Sequence, residues 1–159
     1  IADKFKSNLS IVKSVIKSNQ NRKILLTKRV LKIMNNKIKN KKIAVLGVTF
    51  KANTDDMRES SSLVLIPYLL KKGAKVNYHD PSGPKKEFDK KKNLNYVDSV
   101  NKACIGADLI IINTEWDEFK SIDFKKVVKK SNFKIYDMRN LYNPKELKKR
   151  NIKYYSVGR

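Results

Sequence analysis

The chain has 159 residues, of which 40% are hydrophobic, and its formal net charge is +22 because lysine and arginine outnumber aspartate and glutamate by 37 to 15. This length accommodates one domain with a proper core plus an added element, and the hydrophobic share excludes wholesale disorder. No apolar run approaches the ~20 residues that cross a bilayer, and the lysine-bearing first residues lack the apolar core of a secretory signal. Because Ile1 is not a natural start, we expect a piece of a longer protein.

Residues 1–40 predict a helical arm. Apolar residues recur at helical spacing in two sets, Leu9, Val12, Val15 and Ile16, and then Ile24, Leu25, Val30, Leu31 and Ile33. Neither proline nor glycine interrupts this stretch, so one long helix or two nearly continuous helices fit the pattern. Such a helix serves as a connector or dimer interface in some proteins and packs on its own domain in others. The pattern favours neither alternative.

Residues 41–159 alternate between short β-branched strands and helices. The predicted strands are 42–48, 74–81, 108–114, 133–139 and 152–158, and 96–107 reads as the end of another strand, an Asp or Ser cap and a short helix. The other predicted helices are 60–73, 123–130 and 143–151. The helix at 60–73 begins with a serine cap, stops at Gly73 and contains Pro67, which should kink it or remove a hydrogen bond. This alternation predicts an α/β, Rossmann-like three-layer sandwich with a mostly parallel sheet, preceded by the long helical arm.

Polar and charged residues gather directly after three predicted strands, in TFKANTDDMRESSS, TEWDEF and MRNLYNP. Ligands bind beyond the carboxyl ends of parallel strands, so these segments predict one shared site. Its cations, Lys51, Arg58 and Arg139, suit phosphate oxygens. The serines at 60–62 open a helix whose free N–H groups also favour an anion. The first turn holds a single glycine, Gly47, where a dinucleotide fingerprint has three, so side chains rather than backbone would hold the phosphates.

An alternative is that neighbouring acids simply neutralise these cations. For Arg58, pairing with Asp55, Asp56 or Glu59 is as plausible as ligand binding, whereas Lys51 and Arg139 stand alone at strand ends and favour the ligand interpretation. No Ser/His/Asp triad, zinc-protease motif or Walker lysine motif is present. The residues by themselves predict nucleotide or phosphosugar binding.

Cys104 is the only cysteine and His79 the only histidine. A single cysteine excludes an internal disulfide and fits a reducing cytoplasm. Cys104 lies on the predicted inner face of a short helix, so we expect an inert core thiol rather than a nucleophile. His79 ends a strand with no second histidine to complete a site, and no metal is predicted.

The charge of +22 has two interpretations. So basic a balance is typical of proteins that bind nucleic acid, membrane surfaces or phosphorylated ligands. Nearly all of the excess is lysine, however, whereas base-edge readers favour arginine and stacking platforms interleave aromatic residues. We therefore expect neither nucleic acid nor a membrane as partner, and attribute most of the excess to a compositional bias toward lysine, asparagine and isoleucine.

Five segments, in order, closely resemble the C-terminal domain of the UDP-glucose/GDP-mannose dehydrogenase family: IAVLGVTFKANTDDMRESSSL, YHDP, GADLIIINTEWDEF, YDMRNLYNP and YYSVGR. The resemblance runs from about Lys41 to Arg159. The segment LSIVKSVIKSNQNRK is similar to the end of the central helix that joins the family's two halves. This resemblance implies a domain for UDP-sugar binding at 41–159, and a homodimer formed through the helix within 1–40.

The resemblance further implies an NAD-dependent oxidation of a nucleotide sugar's C6 hydroxyl to a carboxylate in two steps. By motif, Lys51 resembles a substrate-binding lysine, Arg58 the arginine that reaches NAD, and Arg139 the arginine that contacts UDP. The NAD fingerprint and the catalytic-cysteine peptide of the family do not occur in this sequence, and Cys104 lies outside the matching segments. We therefore assign no catalytic residue and expect the chain alone to be inactive.

TDDMRES, TEWDEF and YYSVGR resemble the members that act on UDP-glucose more than those that act on GDP-mannose or UDP-acetylhexosamines. The expected reaction is the oxidation of UDP-glucose to UDP-glucuronate in the cytoplasm. Three rival hypotheses are another member of the family, a non-catalytic nucleotide-binding module and a basic nucleic-acid binder.

Overall fold

The computed structural model describes residues 10–158. Its helices are α1 (Ser10–Ile33), α2 (Ser62–Lys71), α3 (Val100–Cys104), α4 (Phe124–Val128) and α5 (Pro144–Lys149). Its strands are β1 (Lys42–Leu46), β2 (Lys75–His79), β3 (Leu94–Tyr96), β4 (Leu109–Ile112), β5 (Lys134–Asp137) and β6 (Lys153–Ser156). Short 3₁₀ turns span Lys86–Phe88 and Asp117–Ser121.

The six strands form one sheet in the order β3-β2-β1-β4-β5-β6, and every neighbouring pair is parallel. This is the strand order of a doubly wound dinucleotide-binding fold, in which the order of the strands reverses between β1 and β4 while all strands stay parallel. The predicted Rossmann-like class is confirmed. The sheet is parallel throughout, because each pair of consecutive strands is joined by a crossover that returns the chain to the same starting edge.

The two faces of the sheet carry separate hydrophobic clusters, which makes three layers. In β1, Ile43 and Val45 pack beneath α1 and α2, whereas Ala44 and Leu46 pack beneath α3, α4 and α5. The alternation follows from the two-residue repeat of a strand. β4 is fully buried along Leu109–Ile112, as its continuous apolar run indicates.

The helical arm is a single helix, α1, of 24 residues. Its C-terminal half belongs to the core, because Val30 and Ile33 are buried against the sheet and Lys134 Nζ donates a hydrogen bond to the carbonyl of Ile33. Its N-terminal half leaves Ile11 and Ile16 exposed. Packing on its own domain therefore describes the C-terminal half of the helix, and a connector or dimer interface stays a prediction for the exposed half. Leu9, in the first apolar set, lies outside the described residues.

Pro67 does not interrupt α2, which continues from Ser62 to Lys71 with the proline on its exposed face. Gly73 follows the helix with φ of +79°, as expected of a glycine stop. The predicted serine cap is supplied by Ser60, whose Oγ accepts a hydrogen bond from the amide of Ser62, whereas Ser61 makes no side-chain capping bond. Within residues 10–158, no helix combines the length and apolar character needed to cross a membrane.

Candidate functional site

The candidate site lies at the carboxyl edge of the sheet, where strand order reverses between β1 and β4. The segments that follow β1, β4 and β5 meet there, as the sequence predicts. Thr114, just after β4, donates a hydrogen bond to the carbonyl of Thr49, just after β1, over 2.7 Å. Arg139, just after β5, donates from Nε to the carbonyl of Asn113 over 2.8 Å.

Gly47 is required by packing rather than by a phosphate. Its φ is +76°, and a Cβ added there would lie 2.5 Å from Thr114 Cβ. The residue therefore allows the turn after β1 to lie directly against the turn after β4.

A buried carboxylate, Asp80, holds the turn after β1. One of its oxygens accepts hydrogen bonds from the amides of Val48 and Thr49 at 2.7 and 3.2 Å, and the other accepts from the amide and hydroxyl of Ser82 at 3.0 and 2.5 Å. These donors compensate for burying the charge. Sequence reasoning assigned Asp80 no role, although its position directly after β2 obeys the strand-end rule used for the other segments.

The serine triplet fastens α2 to the sheet. Ser60 and Ser62 both donate to the carbonyl of Val48, at 2.7 and 2.5 Å, and Ser61 donates to Asn113 Oδ1 at 2.6 Å. The first amides of α2 are satisfied locally, since Ser62 N donates to Ser60 Oγ and the next two amides donate to the carbonyls of Ser60 and Ser61. The expectation that this helix start offers free N–H groups to an anion is therefore wrong, because these amides already donate hydrogen bonds to Ser60 and Ser61.

Arg139 is held at the edge by three contacts. Besides its bond to Asn113, its Nη2 donates to the carbonyl of Phe50 over 3.1 Å, and its Nε lies 3.0 Å from Glu115 Oε2. The side chain is 34% exposed, which leaves part of the guanidinium accessible to a ligand. Since Phe50 precedes Lys51, the structure brings Arg139 next to the backbone that carries Lys51.

Lys51 and Arg58 have different surroundings. Lys51 is exposed, and within residues 10–158 its ammonium group forms no ion pair. Arg58 grips Asp56 with two hydrogen bonds, Nε to Oδ1 at 3.0 Å and Nη2 to Oδ2 at 2.9 Å. These bonds, with a smaller contribution from the charge of Lys51, lower the pKa of Asp56 to about 2. The acid-pairing alternative therefore describes Arg58, whose side chain is nevertheless 89% exposed. The expectation that Arg139 stands alone is wrong, because Glu115 pairs with it.

A cleft of about 420 Å³ opens between α1 and this edge of the sheet. Its α1 side carries Asn19, Arg22 and Lys23, and the facing side carries Phe50, Glu59 and Arg139. Of the three predicted cations only Arg139 lines this cleft, and neither Lys51 nor Arg58 does. A larger cleft of about 630 Å³ lies on the other face, beside α3 and α4, and includes none of the three. We take the smaller cleft as the candidate site, because polar groups that converge at a topological switch point indicate a ligand more strongly than volume does.

Neither His79 nor Cys104 belongs to this site. His79 is buried, with Nδ1 at 3.0 Å from the carbonyl of Val97 and Nε2 at 3.3 Å from Glu118 Oε2. Across residues 10–158 no cluster of histidine, cysteine and carboxylate side chains suits a metal ion. Cys104 is completely buried, and burial raises the pKa of its thiol to about 12. This environment is that of an inert core thiol, as predicted.

A sequence model of the UDP-glucose/GDP-mannose dehydrogenase family, UDP binding domain, matches residues 44–144. The UDP-glucose 6-dehydrogenase of Rickettsia felis is 40% identical over 152 residues, which cover 93% of this chain and 34% of that protein. UDP-glucose 6-dehydrogenase 2 of Arabidopsis thaliana is 32% identical over 172 residues, covering 92% of this chain and 36% of that protein. The chain thus spans about a third of the length of these relatives.

Solved structures agree with the sequence relatives. A UDP-glucose dehydrogenase from the archaeon Pyrobaculum islandicum superposes with a TM-score of 0.75 at 26% identity, covering 98% of this chain and 33% of that one. An NDP-N-acetyl-D-galactosaminuronic acid dehydrogenase from Methanosarcina mazei gives a TM-score of 0.71 at 28% identity, covering 87% of this chain and 29% of that one. The chain therefore belongs to the UDP-glucose/GDP-mannose dehydrogenase family and contains that family's UDP-binding domain.

Proposed function

We propose that this chain is the C-terminal, nucleotide-sugar-binding part of an NAD-dependent UDP-glucose 6-dehydrogenase, which oxidises UDP-glucose to UDP-glucuronate in two steps. One observation carries the proposal: Arg139 lies against Phe50, the neighbour of Lys51, at the strand-reversal edge of a domain that matches the family's UDP-binding domain. In this proposal Lys51 and Arg139 hold the diphosphate of the substrate. An ammonium on a flexible stem and a planar guanidinium suit that task.

The choice of UDP-glucose rests on the relatives. Those at 32–40% identity are named UDP-glucose 6-dehydrogenases, whereas the solved structures include enzymes for other nucleotide sugars at 28% identity or less. The alternative within the family is an enzyme for a UDP-acetylhexosamine or for GDP-mannose.

NAD is the hydride acceptor of the proposed reaction. We propose that it contacts this domain only at the outer surface. Gly47 packs against Thr114, and the first amides of α2 are bonded within the chain, so the turn after β1 offers side chains rather than its backbone to a phosphate. Arg58 has an exposed guanidinium that can reach beyond the domain. We therefore propose that NAD is held mainly by a domain outside this chain, with Arg58 as a contact. Since Cys104 is buried, we also propose that the chain alone does not catalyse the reaction.

The proposed assembly is a homodimer through the exposed half of α1, in the cytoplasm. The apolar residues on that half are Ile11, Val12, Val15 and Ile16, of which each is at least 47% exposed. Isolated apolar side chains at a surface are ordinary, but these four residues occupy two successive turns of one helix, an arrangement that suits contact with a partner helix. A lone cysteine, kept as a thiol, accords with a reducing compartment.

Calorimetric titration with UDP, UDP-glucose and GDP tests the proposal. We expect UDP and UDP-glucose to bind the chain more tightly than GDP. Tighter binding of GDP would favour the GDP-mannose alternative, and the absence of any UDP binding would contradict the proposal. Incubation with UDP-glucose and NAD should produce no NADH above the blank, and NADH formation would disprove the proposed dependence on another domain.

Two rivals outside the enzyme class make different predictions. A nucleotide-binding module without a catalytic partner would bind UDP but would be encoded without a fused dinucleotide-binding domain upstream, so the upstream coding sequence separates it from a dehydrogenase. A nucleic-acid binder would bind arbitrary duplexes with steep salt dependence, because each neutralised phosphate releases counterions. It would show no preference between UDP and GDP.

A further inference from the structure

The α1 side of the 420 Å³ cleft contains Arg22, whose charge no acid in the described part of the chain neutralises. Lys23 and Gln20, on the same helix, both contact Glu59 Oε2, at 2.5 and 3.2 Å, so Glu59 neutralises Lys23 and ties α1 to the segment before α2. Arg22 is exposed and forms no ion pair within the described part of the chain. Its guanidinium therefore adds an uncompensated positive charge to the cleft.

Arg22 lines the same cleft as Arg139, and its helix is anchored against the strand that leads to Arg139. Burial raises the pKa of Tyr136 in β5, and the positive charges of Arg29 and Arg22 oppose that rise. The Arg29 guanidinium sits over the Tyr136 ring, 5.6 Å from its centroid, which fixes this part of α1 against β5. Arg139 follows Tyr136 by three residues. The two arginines thus approach the cleft from opposite walls, one from the helix and one from the sheet edge.

Asn19 lies one helical turn before Arg22 and lines the same wall. Its amide can donate to a phosphate oxygen, so the two side chains together present a charged and a neutral donor set. The cleft is lined by Arg22, Lys23 and Arg139 and by one acid, Glu59. Glu115, outside the lining, lies 3.0 Å from Arg139 and offsets a second positive charge, so a surplus of one positive charge remains. Concave sites with fixed guanidinium groups and a net positive charge select multiply charged phosphate ligands.

We propose that Arg22, supported by Asn19, forms the α1 side of the phosphate-binding cleft, so that a diphosphate lies between Arg22 and Arg139. This inference rests on the proposed function, and it extends that function to the helical arm. It assigns the nucleotide site to two parts of the chain, the sheet edge and α1. The alternative is that Arg22 is a solvated surface residue without a ligand.

Calorimetric titration of the whole chain with UDP, and separately with inorganic pyrophosphate, tests the inference. The informative variant is Arg22→Gln, and the matched control is Lys32→Gln. Lys32 is an exposed cation on the same helix, and ten residues at 1.5 Å each place it about 15 Å along the axis, beyond the Debye length of about 8 Å at physiological salt. Thermal denaturation followed by circular dichroism verifies that both variants fold.

We expect Arg22→Gln to weaken binding of UDP and of pyrophosphate roughly tenfold, in the range of hydrogen bonds to a charged group, and Lys32→Gln to change it less than about twofold. If the unmodified chain binds UDP and both variants bind it equally well, the inference is wrong and the proposed function stands. If the unmodified chain fails to bind UDP, the proposed function is wrong. In that case pyrophosphate binding that depends on Arg22 would still support the anion site, and its absence would overturn it.

Discussion

Arg139 donates a hydrogen bond to the carbonyl of Phe50 over 3.1 Å, and Phe50 directly precedes Lys51. A second bond, from Arg139 Nε to the carbonyl of Asn113, spans 2.8 Å. One side chain thus joins the residues that follow β1, β4 and β5. The cations predicted from separate strand ends therefore share one edge of the sheet, as a common ligand requires.

Substitution of Arg139 by glutamine should weaken UDP binding by about 2 kcal/mol, or roughly thirtyfold, because a charged partner of the phosphate is lost. Calorimetry measures the affinity, and a melting curve separates binding from stability, since the substitution also frees two carbonyls. Arg150→Gln is the matched control, because Arg150 pairs with Asp123 and lines no part of the 420 Å³ cleft. Under the nucleic-acid hypothesis the Arg139 variant would scarcely change DNA affinity. Our interpretation predicts a sharp loss of UDP affinity, so unchanged UDP binding would contradict it.

Replacing Asp80 by asparagine should lower the free energy of unfolding by about 2–4 kcal/mol. An amide at this position would turn an NH₂ group toward donors, either the amides of Val48 and Thr49 or the amide of Ser82. Urea unfolding measures the loss. Asp89→Asn, at an exposed position, is the control and should stay within about 0.5 kcal/mol of the unmodified chain. Equal stability of the two variants would show that Asp80 does not hold the turn.

Gly47→Ala and Gly106→Ala separate a steric clash from backbone strain. Both glycines have positive φ, at +76° and +68°, but an added Cβ meets Thr114 only at Gly47 and finds nothing within 4 Å at Gly106. Strain alone should cost about 1 kcal/mol at Gly106, whereas the added clash should bring the loss at Gly47 to about 3 kcal/mol or more. Denaturant midpoints give both values. A smaller loss at Gly47 than at Gly106 would be incompatible with the close contact to Thr114.

The Asp56 carboxyl should titrate at about pH 2, because its hydrogen bonds to Arg58 favour the ionised form. NMR detection of the side-chain carboxyl carbon follows this titration directly. In the Arg58→Gln variant we expect the pKa of Asp56 to return toward 3.8, whereas Arg150→Gln should leave it unchanged. Since the pKa is lower in the folded chain, this pair stabilises the fold above about pH 4, and its contribution disappears as the pH falls toward 2. A normal pKa for Asp56 in the unmodified chain would exclude the pairing.

If α1 forms the dimer, Ile16→Asp should weaken self-association at least about tenfold, because it places a charge in an apolar contact on both subunits. Ile16 is 57% exposed in the single chain, so its substitution should not unfold the monomer. Ser18→Asp makes the same charge change two residues away on a polar position and serves as the control. Sedimentation velocity over a concentration series measures the association. A chain that is monomeric at every concentration would refute the proposed homodimer of this chain.

The elements with the strongest patterns were predictable. The LIII run of β4 and the β-branched start of β1 lie in the centre of the sheet, where burial on both faces requires continuous apolar sequence. β3 was predicted only as the end of a strand, because it is an edge strand of three residues in which Leu94 alone is buried. A short edge strand has little hydrophobic signal, and its pairing with β2 depends on the rest of the fold.

The location of the site was predictable from the sequence, but its hydrogen-bond partners were not. The strand-end rule selected the segments of Lys51 and Arg139, yet it could not reveal that the serines serve the carbonyl of Val48 rather than a ligand. Nor could it reveal Asp80, whose hydrogen bonds to Val48 and Thr49 join residues more than thirty positions apart in the chain. Such contacts depend on side-chain direction after folding, which local composition does not encode.

The C-terminal half of α1 has a consequence for where this domain can be cut. The family match starts at residue 44, but Val30, Ile33, Met34 and Ile38 cover one side of the sheet. A polypeptide trimmed to the matched region would expose that hydrophobic surface to water, and such chains tend to aggregate during expression. The smallest piece that can be handled on its own therefore begins well before the recognisable motif, within the helix.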